Sequence, residues 1–298
     1  MLLARVILAL GASQVTLRSK ALRSLNQIAL HRPSVLYQSN VKYAINHRLQ
    51  DSSPQVREAA IDLIGRHITQ NPELTDQYYE FISVRILDKG SSVRRRVMRI
   101  LASIYVSSKD MVQLVDIGAR LLQRTNDEER SIRELALKTL HELWFSLSEY
   151  ANVDDSIPAA EASSNVFNML SPEAQREIFV RVRVMTGVLD ATCSREVADL
   201  MADVFDHVSI ALSKPEADEA VFVIQCIIDA LFEQLLRAEE SSAMGDNANG
   251  ADASWTGFSA SSCLRFIATL SSIAPDTVGR HVGTLGAYLR MSSSADED

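Results

Sequence analysis

At 298 residues the chain has room for a sizeable core, and 47% hydrophobic but only 6% aromatic residues leave Leu, Ala, Ile and Val to fill it. A net charge of −8 conceals opposed halves: residues 1–150 hold 21 Lys+Arg against 15 Asp+Glu, and residues 151–298 hold 9 against 23. Cys193, Cys226 and Cys263 lie far apart with no CxxC pair, which excludes a cysteine metal motif and fits reduced thiols in a nuclear or cytosolic protein.

Met1 to Gly11 is apolar but interrupted by Arg5. It is too short for a membrane span and reads as the first helix of a repeat rather than a signal sequence. No other segment is long and apolar enough to cross a bilayer, so no membrane partner is expected.

From there a phrase recurs. It reads Asp51-Ser-Ser-Pro-Gln-Val-Arg57, then Asp88-Lys-Gly-Ser-Ser-Val-Arg94, then Asp127-Glu-Glu-Arg-Ser-Ile-Arg133, with a weaker copy at Leu17-Arg18-Ser-Lys-Ala21. The arginines at 18, 57, 94 and 133 are 39, 37 and 39 residues apart. A period of about 40 residues marks a HEAT-type or armadillo-type helical array. Leu25, Ile64, Leu101 and Leu140 follow the arginine by seven residues, and Ile28, His67, Ile104 and Leu143 by ten. Offsets of three, seven and ten lie on one helical face, so each phrase opens an amphipathic helix. His67 is the one polar member, with Ile68 beside it. The acid stands ahead of the helix, where a carboxylate caps free N–H groups.

A preceding helix completes each pair: Val35 to Leu49, Leu74 to Leu87 and Met111 to Leu122, with Pro33 and Pro72 between helices. No run alternates as a strand would. The fold class is therefore all-α, a HEAT-repeat α-solenoid of stacked antiparallel helix pairs.

Residues 1–148 form about four HEAT repeats and 149–164 a loop. Residues 165–237 form further helical repeats, with breaks near Thr192–Ser194 and Ser213–Pro215. Val221, Ile224, Ile228, Leu231 and Leu235 share one helical face. Residues 238–258 are rich in Ser, Ala, Gly, Asn and acids and are expected to be disordered. A helix pair follows over 259–290, broken at Pro275, and 291–298 is a disordered tail. Neither end resembles a polar solenoid cap, so a piece of a longer array is expected.

The wording from Asp51 to Gly65, through Asn71-Pro-Glu-Leu-Thr-Asp-Gln-Tyr78-Tyr79, to Asp88-Lys-Gly-Ser-Ser-Val93-Arg-Arg-Arg-Val97 resembles the carboxy-terminal HEAT region of the cohesin loader subunit, the Nipped-B-like or adherin family. Arg124-Thr-Asn-Asp127 with Leu143-Trp144-Phe145, and His281 to Leu289, look like later parts of the same family. The resemblance implies a long scaffold in the nucleus that binds the cohesin ring, its ATPase heads and double-stranded DNA. It implies stimulation of the cohesin ATPase without hydrolysis of ATP by the loader itself. The small loader subunit is implied as a partner only through regions that this sequence lacks.

Asp51, Arg57, Asp88, Arg94, Asp127 and Arg133 occupy equivalent places in stacked units, which predicts a ladder of ion pairs between repeats. Val93, Val97, Ile100, Leu101 and Ile104 form the buried face of their helix, so Arg95, Arg96 and Arg99 fall elsewhere. Lys42, Arg48, Arg85 and Lys89 are candidates to join them in a basic edge. Such an edge suits DNA phosphates, an acidic protein surface, or plain solvation.

Tyr78, Tyr79, Trp144 and Phe145 read as packing residues, and Trp255 as a short docking element. His31, His47, His67 and His141 are scattered without metal-ligand spacing. There is no GxxxxGK[ST], GxGxxG after a strand, GxSxG or HExxH, so neither a catalytic function nor a cofactor is expected. The alternative to a chromatin scaffold is a HEAT adaptor of transport or phosphatase-scaffold type, which holds protein partners and ignores DNA.

Overall fold

A computed structural model of the chain describes residues 2–68, 71–146, 166–192, 195–212, 218–243, 260–273, 278–283 and 286. Twelve α-helices are described: α1 (Leu2–Leu10), α2 (Val15–His31), α3 (Ser39–Leu49), α4 (Pro54–Ile68), α5 (Pro72–Ser83), α6 (Ser91–Ser107), α7 (Met111–Gln123), α8 (Arg130–Phe145), α9 (Pro172–Thr192), α10 (Arg195–Leu212), α11 (Asp218–Ala243) and α12 (Ala260–Ile273). No strand occurs among the described residues. The fold is an all-α helical-repeat solenoid. It divides into two compact units, residues 1–136 and 137–298, the boundary lying within α8.

In the first unit antiparallel pairs stack in two layers. The second helices α2, α4 and α6 pack in succession, and the first helices α1, α3 and α5 do likewise. The arginine register sets this core. Leu25, Ile64 and Leu101 are fully buried, as are Val56, Ala60, Val93 and Val97. Each large aliphatic side chain so buried contributes roughly 1.5–3 kcal/mol. Leu17, in the place of Val56 and Val93, is 45% exposed.

Three local expectations change. His67 is itself buried, beside the buried Ile68, with Nε2 3.3 Å from Asn26 Oδ1. Burial, with the charge of Arg66, pushes its pKa down. On α6, Ile100 is only half-buried and Met98 takes a fully buried place. Ile100 instead lies over Gly65 of α4, where an added Cβ would stand 2.5 Å from its Cδ1. Two of the first helices, α3 and α5, are also shorter than their apolar spacing predicts, whereas α7 spans its expected length. A 3-10 turn over Pro33–Tyr37 precedes α3, and others over Val84–Leu87 and Arg124–Asn126 follow α5 and α7. There the last turn tightens and delivers the chain to the aspartate of the phrase.

The second unit, from residue 137, has α11 packed against α9, α10, α12 and a 3-10 turn at Val166–Met169. Val223, Ile224, Cys226, Ile227, Ile228, Ala230, Leu231, Phe232 and Leu235 are all buried. That wraps nearly the whole circumference of α11, whereas the sequence suggested a single stripe; a helix apolar all round lies inside a core. Phe205 packs between Phe145, met edge-on, and Phe266, met at a tilt, with centroids 5.4 and 5.6 Å away. Helix α11 also runs on to Ala243, so residues 238–243, expected in a disordered linker, are helical, as their alanine and glutamates favour. The loop at 149–164, the linker beyond 243, Trp255, Cys193 and the tail 291–298 lie outside the described residues.

Candidate nucleic-acid and partner interface

The repeated phrase sits at the turn joining the two helices of a pair. Arg57, in the first turn of α4, sends Nη1 back to the carbonyls of Asp51 and Ser52 at 2.8 and 3.2 Å. Its Nε and Nη2 reach forward to both carboxylate oxygens of Asp88 in the next repeat, at 2.7 and 2.6 Å. Arg18 makes the same fork to Asp51, both bonds at 2.8 Å. Arg94 donates Nη2 to Asp127 at 2.7 Å and Nη1 to the Asp88 carbonyl at 2.7 Å. Arg133 holds the carbonyls of Asp127 and Glu128, and no acid pairs with it among the described residues. Each arginine thus closes its own turn, and Arg18, Arg57 and Arg94 also clamp the following one.

The aspartates do more than pair. Asp51, Asp88 and Asp127 accept the N–H two residues on, from Ser53, Gly90 and Glu129, at 3.0, 2.8 and 3.0 Å. This shapes the turn before the helix rather than capping the helix itself. For Asp88, burial alone would raise the carboxyl pKa. Hydrogen bonds from Arg57 and the Gly90 N–H, and the charges of Arg57 and Arg85, outweigh burial and hold it below the usual range. Asp51 and Asp127 are lowered by the same balance, against Arg18 and Arg48 and against Arg94 and Arg124.

A second arginine per rung was missed. Arg48 and Arg124 stand three residues before Asp51 and Asp127 and pair with them at 2.7 and 3.0 Å. Arg85 stands likewise before Asp88. In all three turns the aspartate N–H donates to that arginine's carbonyl, at 3.2, 3.0 and 3.2 Å. The signal was legible: Arg48-Leu-Gln-Asp51, Arg85-Ile-Leu-Asp88 and Arg124-Thr-Asn-Asp127 share an Arg-x-x-Asp pattern.

The seven residues considered for a basic edge do not form one ridge. Arg48 and Arg85 belong to the rungs. Lys42 lines a cleft between α3 and α5, in the first-helix layer, and Lys89 is exposed at the turn before α6. On α6 the three arginines diverge. Arg96 turns back to α4, paired with Asp62 and 3.9 Å from Glu58. Arg95 turns forward and donates to Ser131 Oγ at 2.8 Å. Arg99 is exposed between them, with no acid paired to it among the described residues.

Tyr78 is fully buried and donates its hydroxyl to the Leu36 carbonyl at 3.0 Å. Tyr79 donates to Asp116, which also takes Arg120 Nε at 2.7 Å. Burial raises both phenols well above their ordinary range. Trp144 and Phe145 are fully buried in the second unit. There His141 meets His207 edge-on at 6.3 Å. Among the described residues no cluster of His, Cys, Asp or Glu is arranged to hold a metal, and no helix is long and apolar enough to cross a membrane.

Comparison with known proteins places these features. The family described as sister chromatid cohesion protein PDS5 matches residues 5–178. The Nipped-B-like protein of Mus musculus is 28% identical over 300 residues, covering 99% of this chain and 10% of its own length. The sister chromatid cohesion protein mis4 of Schizosaccharomyces pombe is 38% identical over 138 residues, 46% of this chain and 9% of mis4. A solved C-terminal fragment of the Chaetomium thermophilum cohesin loader SCC2 is 21% identical, covering 99% of this chain and 26% of that one, with a TM-score of 0.45. The chain spans about a tenth of the length of the Nipped-B-like relatives it matches. With its repeated Asp–Arg turns and a match over more than half its length, the chain belongs to the sister chromatid cohesion protein PDS5 family, with relatives among the Nipped-B-like proteins and mis4.

Proposed function

We propose that this chain is a length of non-catalytic scaffold that helps load cohesin onto DNA in the nucleus. The α6 surface draws in duplex DNA, and other faces contact the cohesin ring and its ATPase heads, raising their ATP turnover. The observation that carries the DNA part is the disposition of cations. The ladder uses its arginines internally, whereas Arg99 stands exposed on α6 with Arg95 one turn before it and Lys89 at the helix entry. Two or three phosphate contacts of this kind give sequence-independent binding whose affinity falls with salt at a logarithmic slope of about −2 to −3. Cohesin as a partner rests on the relatives, which are named as cohesion proteins and a cohesin loader.

The test is a salt series of duplex DNA binding by the purified chain and by a variant with Arg95→Glu and Arg99→Glu. Binding that weakens with salt and largely disappears in the variant, whose melting temperature stays unchanged, supports the reading. Undiminished binding in the variant removes α6 as the DNA surface. No binding at any salt favours the protein-only adaptor. A separate assay follows phosphate release by cohesin with DNA; no increase on adding the chain removes the ATPase part.

A further inference from the structure

Helices α3 and α5 lie side by side in the first-helix layer, yet they do not close on each other along their whole length. Between them is an open cleft of about 480 Å³. Lys42 and Asn46 of α3 stand on one wall; Asp76, Glu80 and Phe81 of α5, with Arg85 just beyond it, stand on the other. The cleft therefore holds both signs of charge. Lys42, Asp76 and Glu80 make no ion pair among the described residues, unlike the arginines of the neighbouring rungs. Phe81 and Val84 add apolar surface that remains partly exposed. Just beneath the cleft surface, Asn46 Oδ1 and Arg85 Nε are buried without a hydrogen-bond partner, an unusual state for buried polar atoms.

We propose that this cleft is a docking site for a short extended segment of a partner protein, with a basic residue, an apolar residue and an acidic residue in succession. The basic side chain meets Asp76 and Glu80, the apolar one covers Phe81 and Val84, and the acid meets Lys42. The volume accommodates a few residues in extended form and is too narrow for a second helix about 10 Å across. Nucleic acid is disfavoured, because two exposed carboxylates face the opening. The site is distinct from the α6 surface of the proposed DNA contact, and the two proposals stand or fall separately.

The test uses the 298-residue chain and blocked pentapeptides of order Ala-Lys-Leu-Glu-Ala and Ala-Glu-Leu-Lys-Ala, with an uncharged Ala-Ala-Leu-Ala-Ala control. Amide chemical shifts report on binding. Saturable shifts confined to residues 42–50 and 76–85, for at least one charged peptide, are expected. The variant with Asp76→Asn and Glu80→Gln should bind about tenfold or more weakly, since charged hydrogen bonds are lost from the contact. Its melting temperature should not change, because both side chains are exposed. Equal shifts from the control peptide, or no saturable shift from either charged one, overturn the proposal. Self-association of the chain through these residues, seen by sedimentation, overturns it too, since the occupant would then be a second copy.

Discussion

Arg57 and Asp88, 31 residues apart, face each other through two parallel hydrogen bonds, Nε to Oδ2 at 2.7 Å and Nη2 to Oδ1 at 2.6 Å. Both side chains are nearly sealed from water, at 11% and 3% exposure. A guanidinium fork on a carboxylate is the strongest polar geometry available to these residues. Burying the two charges costs much of what the fork returns, so the pair fixes how one repeat sits on the next more than it adds net stability.

Removal of one partner is a different matter. Arg57→Ala leaves Asp88 buried with only Arg85 nearby and the Gly90 N–H, and leaves the Asp51 and Ser52 carbonyls without their donor. A loss of about 2–4 kcal/mol is expected, near the range for breaking buried pairs. Glu134→Gln, which breaks the exposed Arg130–Glu134 pair, should cost under about 0.5 kcal/mol. Urea unfolding of the two variants measures the contrast; equal effects would show the ladder to be no more than surface decoration.

The depressed aspartates and His67 predict two stages of acid sensitivity. His67 is held below its ordinary range by burial and by Arg66, so the unfolded chain takes up its proton first. Its stabilising contribution is intact above the unfolded value of about 6.5 and declines as pH falls through the folded value. Asp51, Asp88 and Asp127 are also lowered; their contribution is intact above about pH 4 and is lost below it, as the unfolded carboxylates protonate first. Urea midpoints should fall gently from about pH 7 to 5 and steeply below about pH 4. His67→Gln should flatten the first stage and leave the second.

Close approach of α4 and α6 depends on Gly65. A Cβ there would come within 2.5 and 2.8 Å of Ile100 Cδ1 and Cγ1. Replacing a helical glycine with alanine ordinarily gains about 1 kcal/mol, whereas overpacking costs about 1–3 kcal/mol. Gly65→Ala should therefore be neutral to destabilising by up to about 2 kcal/mol, rather than stabilising. Combined with Ile100→Ala, the usual gain should return. A double-mutant cycle with no coupling would disprove the contact.

The sequence disclosed the array because a period near 40 residues repeats both a core register and a charged turn. Arg18, Arg57, Arg94 and Arg133 located α2, α4, α6 and α8, and the apolar offsets located their buried face. What stayed hidden depended on three-dimensional direction. Arg95 and Arg96 are adjacent in sequence, but a 100° step between successive helical residues sends one toward Ser131 and the other toward Asp62. Arg48 and Arg85 looked like surface cations until the turn brought each back over its own aspartate. In the second unit the register fails because no Asp stands six residues before an Arg between 166 and 290, and burial all round α11 erases the stripe that periodicity detects.

The capture of Arg96 by α4 bears on the proposed DNA contact. Asp62 and Glu58 hold its guanidinium, yet its side chain is 41% exposed, so the pair is weak in water and open to competition by phosphate. Asp62→Asn with Glu58→Gln should therefore tighten duplex binding by several-fold at low salt and steepen the logarithmic salt slope by about one, the contribution of a single added phosphate contact. The gain should vanish when Arg96→Ala is added, a dependence that a general change in net charge would not produce. Titration of labelled duplex at several salt concentrations with the three variants distinguishes them, and an unchanged slope in the Asn/Gln variant would place the DNA away from Arg96.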